Sequence, residues 1–167
     1  MKKLRFALFL SMCLLVSGCF SASVEKDITE YVNEGLLPLA DLEEEAIDLF
    51  DSVVGYNYTD DYTLYDTLNL EVIPRYQKLL NELEKLKPNT EEVQQVHDIY
   101  VSGAKKQYEA MMLILDGIEF QDVSIIEEAN LRLAEGRTII REFQIKLDAL
   151  IEEYELEMEV DYEVEMY

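Results

Sequence analysis

Apolar residues recur along most of the chain at alternating spacings of three and four, the pattern of helices packed along a seam. The first set is Ile28, Val32, Gly35, Leu39, Leu42, Ala46, Leu49 and Val53. A second runs Tyr65, Leu68, Val72, Tyr76, Leu79, Leu83 and Leu86. The third holds Val93, Val96, Tyr100, Ala104, Tyr108, Met111, Leu115 and Ile118. The fourth is the cleanest: Ile126, Ala129, Leu133, Gly136, Ile140, Phe143, Leu147, Leu150 and Tyr154. Pro38 and Pro74 fall inside the first two sets, so each predicts a kink or break, the first near Gly35-Leu36. Asn89 with Glu92, and Ser124 with Glu127, have capping-box spacing and predict the starts of the third and fourth helices. Short links at about Gly55–Asp61, Lys87–Asn89 and Gln121–Val123 make successive helices antiparallel. The expectation is an all-α, up-down-up-down four-helix bundle over residues 27–154. Gly103, Gly117 and Gly136 lie inside helices, where close helix–helix approach accounts for them.

The two ends depart from this period. Met1 to Cys19 reads MKKLRFALFLSMCLLVSGC: a basic start (Lys2, Lys3, Arg5), an apolar run too short to span a bilayer comfortably, then small residues before a cysteine. Leu15-Val16-Ser17-Gly18-Cys19 resembles the lipobox of bacterial lipoproteins. That resemblance covers this segment alone. It implies cleavage just before Cys19 and a diacylglyceryl group on its thiol, with residues 1–18 a signal peptide and 19–26 a lipidated tether. It also implies a chain held on the extracytoplasmic side of a cell membrane or envelope through fatty acyl (palmitate-type) chains. With Cys13 discarded and Cys19 acylated, no thiol remains for a disulfide or a metal. At the other end, Glu155 to Tyr167 alternates with period two and carries six acids and no base, an acidic tail.

Charge narrows the partners. The chain of 167 residues carries 36 acidic and 14 basic side chains, a net of -22. Residues 1–18 hold three bases and no acid, so the remainder carries 11 bases against 36 acids, a net of -25. Nucleic acid is a poor partner for such a chain. The 49% hydrophobic content excludes a disordered one. The acids are unevenly placed: thirteen lie between Asp27 and Glu71, and no basic residue falls between Lys26 and Arg75. That stretch reads either as a solvated face or as a surface attracting a basic protein partner or cations.

Candidate chemistry is sparse. His97 is the one histidine. Di-iron helical bundles resembling ferritin use Glu-x-x-His twice, and here Gln94 stands at the corresponding position. No His-Glu-x-x-His, Gly-x-Ser-x-Gly or phosphate-cradling glycine loop occurs. Met111-Met112 is a weak copper signal and reads better as core. No metal or cofactor is expected beyond the covalent lipid, and the chain is not expected to be an enzyme.

The link after the first helix is the most distinctive segment. Gly55 to Tyr65 holds four of the eleven tyrosines, among them Tyr62 and Tyr65, whose spacing suits the core. Tyr56 and Tyr58, with Asp60 and Asp61, are the expected partner-binding residues, because Tyr offers wide contact area at low entropy cost. Helices of roughly 30 residues would place this loop about 45 Å from a bilayer at Cys19, beside the turn near Gln121-Asp122. Lys26, Lys85 and Lys87 would lie at the membrane end. The expected function is therefore a lipid-anchored, non-catalytic binding or scaffold protein. The alternative is a cation- or small-ligand-binding lipoprotein that uses the acidic helix faces.

Overall fold

The structure is a computed structural model that describes residues 17–157, with side chains described from residue 23. The signal-like residues 1–16 and the tail beyond 157 lie outside it. The described chain is all-helical and bundle-like, with no strand among the described residues. Its α-helices are α1 (Ser17–Glu30), α2 (Leu37–Asp51), α3 (Asp61–Thr67), α4 (Ile73–Leu83), α5 (Glu91–Phe120) and α6 (Val123–Glu153). No helix among the described residues is long and apolar enough to cross a membrane.

Pro38 and Pro74 each sit just after a wide turn of π-helix. Tyr31–Leu36 joins α1 to α2 and Leu68–Val72 joins α3 to α4. Each closes with a hydrogen bond to the carbonyl five residues back, Leu37 to Val32 and Ile73 to Leu68. Proline lacks the N–H that an α-helix needs, and its ring crowds the carbonyl four residues earlier. A wider turn moves that carbonyl aside, so the helices bend without breaking.

Every residue of the four apolar sets is buried or half-buried. The largest fully buried side chains include Tyr76, Phe143, Ile28 and Leu68. α5 and α6 make the most extensive pairing. A Cβ on Gly103 would lie 2.7 Å from Ile140, and one on Gly136 would lie 3.2 Å from the Gln107 nitrogen and 3.3 Å from the Gly103 carbonyl. The glycines are thus where two helix backbones touch, as expected.

Several local expectations need correction. Residues 20–26, expected as a tether, lie in α1, and Val24 is fully buried. Asn89 does not cap α5. Thr90 occupies that position without a side-chain cap, and the carboxylate of Asp27, on α1, holds the two residues just before the helix. It accepts hydrogen bonds from the backbone nitrogens of Asn89 and Thr90, from Asn89 Nδ2 at 3.0 Å and from Thr90 Oγ1 at 2.6 Å. α6 is capped by Asp122, which accepts from Ser124 N at 2.9 Å, rather than by Ser124. Two of the thirteen acids of the first stretch, Asp27 and Glu43, are buried and leave the acidic face. Glu45 and Glu71 of that stretch approach Arg75.

Candidate functional site

One end of the fold is built by the link between α2 and α3 facing the turn between α5 and α6. Gly55 takes a positive φ of 58°, starting a single 3-10 turn, Gly55–Asn57. Asn57 Nδ2 donates to the Asp51 carbonyl at 2.9 Å and ties this turn back to α2. Asp60 then caps α3, accepting from Thr63 N at 2.9 Å and Thr63 Oγ1 at 3.0 Å. Those bonds hold its carboxyl below the usual range. Tyr58 Oη donates to Asp61 Oδ1 at 2.8 Å, and the phenol is raised by that bond and by the neighbouring acids.

The facing turn is equally fixed. Gln121 adopts a left-handed φ of 52°, with its own N–H on the Ile118 carbonyl and that of Asp122 on the Gly117 carbonyl. Both bonds satisfy carbonyls that would otherwise be orphaned at the helix end. Asp122, held below the usual carboxylate range by its bonds from Ser124, caps the helix that follows.

Between the two lies a cleft of about 610 Å³. Its walls are mainly apolar: Val54, Leu64, Ile114, Ile118, Val123 and Ile126. Tyr58, Asp61, Gln121, Asp122 and Asn130 supply the polar lining. The two segments that form it also leave large apolar side chains in water: Tyr56 (fully exposed), Tyr62 (77%), Phe120 (68%) and Val123 (71%). Segments 51–66 and 114–127 together hold eight acids and no base. The nearest guanidinium along α6, that of Arg132, is paired with Glu109 and Glu128. Arg137 acts on Asp51, whose carboxyl burial nonetheless raises.

The four residues singled out by sequence therefore divide. Tyr58 and Asp61 line the cleft, Tyr56 is fully exposed and is not among the lining residues, and Asp60 is a helix cap. Tyr62 is exposed, against the expectation that it faces the core, whereas Tyr65 is half-buried. The turn at Gln121-Asp122 lies beside the link, as expected from the sequence, but its apolar wall escaped sequence reasoning, because Ile118 and Ile126 continue the apolar seams and look like ordinary core. Phe120 and Val123, two apolar residues bracketing a turn, were the available signal.

The interior holds a second set of polar groups. Tyr31 Oη meets His97 Nδ1 at 3.2 Å, Tyr100 Oη donates to Glu43 at 2.7 Å, and Tyr76 Oη donates to Gln107. Burial, with the nearby Glu43, pushes the Tyr76 and Tyr100 phenols well up. Burial lowers His97, and the Leu83 carbonyl that bonds its ring acts in the opposite sense. A cavity beside Tyr76 and Gln107 measures about 10 Å³, room for about one water. These groups satisfy one another inside the core. Among the described residues no three His, Cys, Asp or Glu side chains group as metal ligands would.

Comparison with family models, with curated proteins and with solved structures finds no match. The functional reading thus rests on this chain alone.

Proposed function

We propose that this chain is a lipid-anchored, extracytoplasmic helical protein that acts without catalysis as a binding or scaffold protein at the cell envelope. In this reading Cys19 carries the lipid, residues 1–18 are removed, and the anchor alone meets the membrane. The rest forms an up-down-up-down four-helix bundle. The opposed pairing of Gly103 with Ile140 and Gly117 with Ile126 supports that topology for α5 and α6, as Gly35 beside Leu86 and Glu45 beside Arg75 do for the first two helical stretches. The partner is a basic protein engaged at the end farthest from Cys19, through Tyr56, Tyr58 and Asp61.

One observation carries this: an apolar cleft with exposed aromatics, in segments that hold eight acids and no base. Large apolar side chains left in water at one place, beside fields of one sign, mark an interaction surface.

The test is crosslinking in intact cells with the wild-type chain and with the Tyr56→Ala/Tyr58→Ala/Asp61→Ala variant. Asp60 is left in place because it caps α3. The expected result is loss of the crosslinked partner with unchanged helix content. A partner captured equally well by the variant would sink the site. Mass spectrometry of the membrane-bound chain should find a diacylglyceryl group on an N-terminal Cys19, and an unmodified Cys19 would remove the lipid anchor from the proposal.

A further inference from the structure

We infer that the cleft between the α2–α3 link and the α5–α6 turn receives a basic segment of the partner that inserts one apolar or aromatic side chain between flanking Lys or Arg residues. This rests on the binding reading above and specifies its ligand.

Volume comes first. At about 610 Å³ the cleft is of ligand-pocket size, and its walls of Leu64, Ile114, Ile118 and Ile126 reward burial of apolar surface. Charge selects what flanks the inserted group. One acid comes from each wall, Asp61 from the link and Asp122 from the turn, and no base lies in either segment. Lys or Arg beside the inserted side chain meets these carboxylates, and Tyr58 offers a ring face to a cation. Both walls are pinned before binding, by the Asp60 cap and by the double closure at Gln121-Asp122, so little ordering cost falls on the ligand.

The same charge disfavours other occupants. A second copy would bring an identical acidic end against this one. The chain's own terminal segment, residues 155–167, carries six acids and no base. Neither complements the cleft.

The experiment uses the full chain in phosphatidylcholine nanodiscs, with empty nanodiscs as the control. Three labelled peptides are titrated: a Lys/Arg peptide with central Phe and Leu, the same peptide with Ser for Phe and Leu, and the first with Glu for Lys and Arg. The basic apolar peptide should bind at least about tenfold tighter than the Ser peptide, and the acidic one should not bind. Asn130 is exposed on α6 and lines the cleft, so Asn130→Trp fills it from the rim. That variant should abolish the tenfold preference and leave Ser-peptide binding unchanged. Asp61→Asn/Asp122→Asn keeps a capping side chain at position 122 and should weaken both basic peptides and flatten their salt dependence.

Equal binding of the two basic peptides, or a preference that survives Asn130→Trp, overturns the inference. So does binding of the acidic peptide, or sedimentation showing self-association that the basic peptide displaces. If the peptides fail while cellular crosslinking still depends on Tyr56, Tyr58 and Asp61, the ligand class is wrong and the binding reading stands. If crosslinking is also indifferent to those residues, both fall.

Discussion

A carboxylate taken out of water costs stability unless hydrogen bonds replace the lost hydration, and Asp27 is surrounded by them. Burial raises its carboxyl, but the bonds from Thr90 and Asn89 outweigh that and hold it below its ordinary value. The folded state therefore favours the ionised form. Its contribution is complete above the unfolded carboxyl value, near pH 4, and is lost as pH falls through the lower folded value. Asp27→Ala should cost about 3 kcal/mol at neutral pH, because the Asn89 and Thr90 N–H groups lose their acceptor. Chemical denaturation at pH 7 and at pH 3 checks this: the gap between wild type and variant should narrow in acid. An unchanged gap would mean the carboxylate is not the acceptor that matters. This residue also shows where local sequence reasoning stops. Asn89 and Glu92 match a capping box, but the acceptor that fixes the turn leading into this helix comes from 62 positions earlier. A short motif has no access to a partner that only the fold delivers.

Along the elements, the seams were legible because burial repeats with the helical period, and every residue of the four sets ended inside or partly inside. The bends at Pro38 and Pro74 were legible too. Their form as wide turns was not, since proline signals only that an α-helical hydrogen bond is missing. The binding end was half legible: tyrosine density marked the link and helix length placed it beside the Gln121-Asp122 turn, whereas the apolar residues of that facing wall were hidden within seam periodicity. The glycine contacts give a sharp test of helix pairing. A methyl at Gly136 would lie 2.8 Å from Gln107 Cγ, and behind that side chain 3.2 Å and 3.3 Å from the backbone of α5 at Gln107 and Gly103. Gly136→Ala should therefore destabilise by about 2 kcal/mol through overpacking, despite the better helix propensity of alanine. A thermal melt that rises would show that α5 and α6 can separate freely at that point.

For the whole molecule, 36 acids against 14 bases leave a repulsion that exposed ion pairs offset only weakly. Raising sodium chloride from about 10 mM to about 1 M shortens the screening length from about 30 Å to about 3 Å. The melting temperature should rise over that range. A fall would mean that attractive pairs such as Lys105–Glu84 and Arg132–Glu109 outweigh the net repulsion. The two wide turns have a separate consequence, one of counting. Each fits one residue more into its turn than an α-helix would, yet the helix beyond it keeps the facing it would have had without that residue. Deleting Asn69, which is exposed in the second of them, together with Pro74→Ala should yield an unbroken helix that still buries Tyr76, Leu79 and Leu83. Deleting exposed Lys78 from α4 instead should rotate the residues after it by about 100° and unfold the core, as circular dichroism and melting would report. The chain thus carries a spare residue at each bend, and those are the places where its length can change without changing which side chains face inward.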